Sequence, residues 1–186
     1  MKLEQRLITN GVIQLVPLQA RHRDLFVELY SNPKIMRQVA PPFSADLAAR
    51  TFAKALHCAD ETRRHYYWII QNAAGAESGI AALIMLPDSA AEVGVMLLPK
   101  FSRQGLALIA SATLIEYSFR FWRTDTLIAS HKATNLPVPL ILTALSMNCI
   151  EQAEELWYWQ LTRQQWQKLT GQAPYQITAV EDIYDA

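Results

Sequence analysis

The stretch from Ala90 to Phe121, AAEVGVMLLPKFSRQGLALIASATLIEYSFRF, sets two periodicities end to end. Its opening, AAEVGVMLL, reads as a buried strand. From Leu106 onward apolar residues return every three or four positions, the period of a helix packed along one face. A strand that passes through a short loop into a long helix fixes much of what the chain can become. The helix folds back over the sheet, and a strand that follows it lies parallel to the first through a right-handed crossover. The period predicts a helix over about 105–121 with Leu106, Ile109, Ala110, Thr113, Leu114, Tyr117 and Phe121 toward the sheet. It makes TLIASH, Thr126 to His131, the parallel strand.

Between strand and helix lies Ser102-Arg103-Gln104-Gly105-Leu106-Ala107, in a chain with only 6 glycines. A helix N-terminus carries backbone N–H groups without intrahelical partners, and its dipole favours an anion there. Glycine adopts positive φ and lets a ligand approach the backbone closely, and Arg103 and Gln104 add donors. On its residues alone this junction is either an ordinary turn or a socket for a phosphate. It matches neither the Walker lysine loop nor the dinucleotide G-x-G-x-x-G pattern.

VIQLVPL (Val12 to Leu18) predicts a first strand. ARHRDLFVELYS predicts a helix with Leu25, Phe26, Leu29 and Tyr30 on one face, ended by Asn32-Pro33. Ser44 is a candidate N-cap for a helix reaching about His57, with Leu47, Phe52 and Leu56 as its apolar positions. HYYWIIQN, SGIAALIML and AAEVGVMLL are separated by short turns at Ala74-Gly75 and Pro87-Asp88, which predicts an antiparallel meander. NLPVPLILTALSM reads as a helix begun through Pro137 and Pro139, CIEQ and EELWYWQLT as strands, and RQQWQKL as a short terminal helix. Residues 171–186 show no clear period. With no repeat or linker, the expectation is one α/β domain over residues 1–186, a mixed, mostly antiparallel central sheet flanked by helices.

The chain has 186 residues, 51% apolar, enough for a core without disulfides or metals. Lys+Arg and Asp+Glu both number 17, which argues against a nucleic-acid partner. Cys58 and Cys149, and likewise His22, His57 and His65, fall in no metal-ligand spacing, so no metal is expected. The N-terminal residues mix charges, and no apolar run approaches the ~18–20 residues of a membrane span. The expectation is a cytoplasmic protein without a membrane partner; a homodimer stays open.

The segment AEVGVMLLPKFSRQGLALIASATLIEYSF resembles the signature of the GNAT superfamily of acyl-CoA-dependent N-acetyltransferases. There a strand A-E-[IV]-G-x-x-L-x-P leads to a [QR]-x-x-G-x-[GA] loop and a long helix. The resemblance is closest to the branch of ribosomal-protein-alanine acetyltransferases. LVPL is similar to its L-R-P-L, NPKIMRQVAPP to its D-P-x-V-M-x-x-x-x-P, NLPVPLILTALSM to its N-x-x-S-x-x-x-L-x-x-L-G-F helix, and YWQLTRQQW to its closing L-T-R-E-E-W. Ordered matches run from about Leu7 to Trp166.

The resemblance implies an acetyl-CoA-dependent N-acetyltransferase acting on a primary amine, of a small molecule or a protein N-terminus. It implies that the loop of Ser102, Arg103, Gln104, Gly105, Leu106 and Ala107 holds the pyrophosphate. It gives the backbones of Met96, Leu97 and Leu98 the pantetheine, on a strand splayed from its parallel neighbour, and places Asn135 beside the cofactor. Glu92 falls where some members carry the base that takes the amine's proton; a salt bridge capping the sheet end is its other reading. Strand amides would meet the developing negative charge. The chain departs from the pattern where the family often carries a serine or tyrosine acid, at Val138 and Leu142, and also at Ser102 and Ser146-Met147. These departures leave open an alternative, a catalytically impaired acyl-CoA-binding or regulatory module. His131 is either a further acid or base or hydrogen-bonded at a strand end. Tyr66-Tyr67-Trp68 and Trp157-Tyr158-Trp159 either line an acceptor pocket or pack as core and cross-strand pairs.

Overall fold

Tyr66, Trp68 and Ile70 turn to one face of their strand and Tyr67 and Ile69 to the other, and each set enters a different apolar cluster. Alternation of this kind, repeated along neighbouring strands, gives a sheet buried on both faces. The computed structural model describes residues 5–57, 64–122, 124–169 and 179–181. Its strands are β1 (Leu7–Thr9), β2 (Ile13–Pro17), β3 (His65–Asn72), β4 (Glu77–Met85), β5 (Ala90–Leu97), β6 (Thr126–Lys132), β7 (Asn148–Gln152), β8 (Leu156–Thr162) and β9 (Ala179–Glu181). Among the described residues they form one sheet in the order β7-β8-β6-β5-β4-β3-β2-β1-β9. All neighbours are antiparallel except β5 and β6, the parallel pair joined by the long helix. The meander and the parallel pairing across α4 stand as the sequence predicts.

The helices are α1 (Arg23–Ser31), α2 (Pro33–Met36), α3 (Ala45–His57), α4 (Leu106–Phe121), α5 (Pro137–Ala144) and α6 (Arg163–Gln167). Helices α1 and α3 cover one face through Phe26, Leu29 and Phe52, which meet Tyr67, Ile69 and Ile80. Helix α4 covers the other, where Leu106, Ala110, Leu114 and Tyr117 pack with Trp68, Leu83 and Leu127. The Ser44 hydroxyl accepts the Leu47 N–H at 3.2 Å, the predicted cap. Asn32 ends α1 and also caps α2, accepting the Lys34 N–H at 2.9 Å, with Pro33 in the first turn where its missing N–H costs nothing. No helix among the described residues is long and apolar enough to cross a membrane, and they hold no cluster of metal-ligating side chains.

Several expectations shift. Leu47 is 41% exposed because the buried stripe of α3 runs Ala48, Phe52, Ala55, keeping Phe52 of the expected positions and replacing Leu47 and Leu56 by the alanine beside each. Phe121, in the last turn of α4, is 42% exposed. Strand β1 was not anticipated, and the region without a period contributes β9, which pairs with it. Cys58 and residues 170–178 and 182–186 lie outside the described residues.

Candidate active site

Pairing between β5 and β6 stops early. Ala90, Ala91 and Glu92 lie opposite Thr126, Leu127 and Ile128, and beyond that register both strands continue unpaired with each other. The direction of the backbone groups in the resulting gap follows from the bonds at the ladder ends. The Leu86 N–H donates to Ala90 O, and the Leu98 N–H to Ser78 O, so even-numbered residues of β5 turn to β4. The Asp125 N–H donates to Ser89 O, so odd-numbered residues turn toward β6. Strict alternation along the pair therefore aims the groups of Val95 and Leu97 into the gap. This corrects part of the expected set. Leu97 presents an open edge, whereas Met96 and Leu98 face β4, and the Leu98 carbonyl also accepts the Phe101 N–H at 2.9 Å. Val95, which sequence reasoning passed over, takes their place.

Gly79 lies opposite Leu97. A Cβ there would overlap the Met96 carbonyl oxygen and come within 2.9 Å of Leu97 Cα. The close approach of β4 and β5 at this pair, at the end of β5 beyond its parting from β6, thus requires a glycine.

Past β5 the chain makes a 3-10 turn at Pro99–Phe101 and reverses through two left-handed residues, Arg103 (φ 64°) and Gly105 (φ 75°), before α4 begins. Gly105 is the N-cap and supplies no side-chain acceptor. The first-turn amides of Leu106, Ala107 and Leu108 are those a helix leaves without internal partners. Ser102, Arg103, Gln104 and Gly105 are exposed and Leu106 is buried. The Gln104 side-chain amide donates to Lys100 O at 3.1 Å, so part of its donor capacity braces the loop.

The gap opens into a cavity of about 330 Å³ that reaches both faces of the sheet. On the α4 face it is lined by Ala107, Ser111, Val138 and Leu142; on the α1 face by Tyr30, Tyr67, Ile80 and Met96. Asn135 lies at its margin, before α5. Val138 and Leu142, whose side chains carry no transferable proton, thus face the cavity. Ser111 is a hydroxyl-bearing side chain on that wall that carried no signal in the sequence, since a serine inside an apolar helix has no distinctive spacing.

Glu92 is half-buried at the floor of the gap and accepts the Ser130 hydroxyl on Oε1 at 2.6 Å. Bonds to ionised acceptors at this length are the strong class, and this one fixes the carboxylate while Oε2 stays available. Among the described residues Glu92 forms no ion pair, so the sheet-end salt bridge is not its role. His131 is 5% exposed. Its Nδ1 lies 2.8 Å from Lys132 O, and its Nε2 accepts the Trp159 indole N–H at 3.1 Å. These partners place a ring proton on Nδ1 and hold the ring at the strand end, where it also lines the cavity. Burial pushes the Tyr30 hydroxyl up, with Tyr67 beside it adding to the effect, so Tyr30 stays protonated. The aromatic runs divide by parity. Tyr66, Trp68 and Trp159 are core, while Tyr67 lines the cavity.

A domain model described as "Acetyltransferase (GNAT) domain" matches residues 13–148. A curated relative, the FsC-acetyl coenzyme A-N(2)-transacetylase of Aspergillus fumigatus, is 24% identical over 150 residues, 75% of this chain. The match spans 63% of that relative's length. Similar solved folds include spermidine N-acetyltransferase from Vibrio cholerae in complex with CoA and spermine (TM-score 0.75, 14% identity, 85% of this chain and 99% of that one). A GCN5-related N-acetyltransferase from Brucella melitensis has TM-score 0.73 at 17% identity, covering 91% and 84%.

Proposed function

This chain belongs to the GNAT acetyltransferase family, and we propose that it moves the acetyl group of acetyl-CoA directly to a primary amine, on a small molecule or a protein N-terminus. The observation that carries the reading is the gap between β5 and β6, with an open strand edge along it and a left-handed loop and helix N-terminus at its end. An amide-bearing arm pairs with such an edge as a strand would, here at Val95 and Leu97. The loop amides around Arg103 to Ala107, with the charge of Arg103, suit a pyrophosphate, and Asn135 borders the same cavity. The residues present fit acetyl-CoA, which when bound supplies a thioester open to attack.

The chain's own residues supply the rest. Glu92 takes the proton of the attacking amine, directly or through water, and Ser130 holds its carboxylate at the required angle. Backbone N–H groups of β5 stabilise negative charge as it develops. Resemblance to the ribosomal-protein-alanine branch keeps an N-terminal amine among the acceptors. The apolar Val138 and Leu142 favour a second reading, a module that binds acyl-CoA without turnover.

Calorimetry with acetyl-CoA, then thiol release over a panel of amines and N-terminal peptides, separates the readings. Saturable binding with turnover supports transfer, and Glu92→Gln then lowers kcat by about 10²-fold or more, on the usual scale of general-base loss. Binding without turnover on any acceptor supports the module. Absence of binding sinks both.

A further inference from the structure

With the cofactor's pyrophosphate placed at the N-terminus of α4 in the reading above, the α1 half of the cavity is left for the acceptor. Side chains on β4, β5 and β6 alternate, so Glu92, Gly94 and Met96 share the α1 face with Ile80, Ala82 and Ile84, and with Ser130 and Lys132. Leu156, opposite Lys132 on β8, lies on the same side. Helices α1 and α2 add Tyr30 and, just after α2, Gln38 and Val39. The wall facing Glu92 is therefore mainly aliphatic and aromatic, with Gln38, Ser130 and Lys132 as its polar members.

Charge on this wall is sparse and opposed. Among the described residues lining the cavity, Glu92 is the single carboxylate and Lys132 the single formal cation. Lys132 does not swing free. Its ammonium donates to Arg37 O at 2.9 Å, and two residues on, the Thr134 hydroxyl donates to Gln38 Oε1 at 3.4 Å. These two bonds tie the segment after α2 to the end of β6 across the acceptor side, and they hold a positive charge there.

From this we infer that the acceptor is a primary amine carried on an apolar or aromatic arm with no second cation near it, rather than a polyamine. The inference rests on the acetyltransferase reading above and deepens it. One ammonium finds one partner, Glu92. A second ammonium along the same arm finds no second carboxylate among the described lining residues, and Lys132 repels it. Discrimination of this kind works by an unfavourable contact with the wrong ligand as much as by a favourable one with the right ligand.

The test measures kcat/KM for 2-phenylethylamine and for spermidine by thiol release from acetyl-CoA, in the native chain, Lys132→Glu and Lys132→Met. We expect 2-phenylethylamine to be favoured at least tenfold, and Lys132→Glu to reduce that preference at least tenfold by improving spermidine. Lys132→Met, which keeps the arm and removes the charge, should fall between them. Equal or better use of spermidine by the native chain overturns the inference and leaves acetyl transfer intact. If neither amine turns over, calorimetry with each amine on the CoA-saturated protein decides. Tighter 2-phenylethylamine upholds the assigned acceptor site while activity fails; tighter spermidine, or binding of neither, overturns it. Failure to bind CoA at all removes the underlying reading.

Discussion

Replacing Gly105 with valine separates a phosphate socket from a turn. Gly105 sits at φ 75°, and a Cβ built on it meets nothing within 4 Å. No steric clash penalises the substitution, so its cost is the left-handed backbone alone, about 1–2 kcal/mol for a non-glycine residue. In a chain of this size that lowers the melting temperature by roughly 4–8 °C at most, and less if the exposed loop relaxes to negative φ. Relaxation turns the amides of the first turn of α4 away from their present direction. Two hydrogen bonds to a charged group contribute about 1.5–3 kcal/mol each, so affinity for acetyl-CoA should fall about 100-fold or more. Gly105→Ala should lie between. Calorimetry with acetyl-CoA and a thermal scan on the same samples read both effects. A fall in stability with affinity changed less than threefold would refute the reasoning and return the loop to an ordinary turn.

Three further outcomes follow from the geometry. Leu97→Pro removes an N–H that faces the gap, whereas Met96→Pro removes one from the β4–β5 ladder; the first should weaken acetyl-CoA binding with little change in urea midpoint, and the second should mainly destabilise, while the reverse pattern would overturn the edge assignment. His22 is fully buried, its Nδ1 accepts the Gln19 N–H at 2.9 Å, and burial, with the Arg21 charge, lowers its pKa from 6.5 to about 4. The unfolded chain then binds the extra proton first, so stability is complete above about pH 6.5 and declines by up to about 3 kcal/mol as pH falls toward 4; urea unfolding of His22→Asn should show a flatter profile over that window. Burial pushes the Glu116 carboxyl up, and Arg120, 2.6 Å away, only partly opposes this, so stability falls as pH rises through the folded-state value. Glu116→Met should be neutral or stabilising by about 1 kcal/mol at neutral pH, and a loss above 2 kcal/mol would show that the ion pair outweighs its desolvation.

The elements with a long, regular period were legible before the fold was known. Strands β3, β4 and β5 and helix α4 lie almost where their patterns put them, because each carries enough apolar side chains to mark a buried face. Strands β1 and β9 were not, since three residues make no period and their pairing joins opposite ends of the described chain. The error at Leu47 has the same root: with Ala48 and Ala55 forming the stripe, the larger leucine beside it misleads a reading that weighs size.

At the site, the residues of the loop alone left it open between a turn and a phosphate socket, and the roles of the loop and of Glu92 came from the resemblance to the family. The Ser130 partner of Glu92 could not be found locally, because the two meet only through the β5–β6 register. Nor does the sequence say which backbone groups face the gap. That depends on which residues of β5 bond to β4, and it moved the open edge from Met96 and Leu98 to Val95 and Leu97. The Lys132 tie to Arg37 likewise exists only once β6 and the end of α2 are brought together.

The central claim is direct transfer across the gap between β5 and β6. The most direct measurement mixes the protein with less than one equivalent of acetyl-CoA and an excess of primary amine, then quantifies free CoA, acetylated amine and acetylated protein over time. The account predicts equal amounts of CoA and acetylated amine appearing together, with no acetylated protein at any point. Acetyl-protein that forms first and then passes its acetyl group to the amine would contradict it.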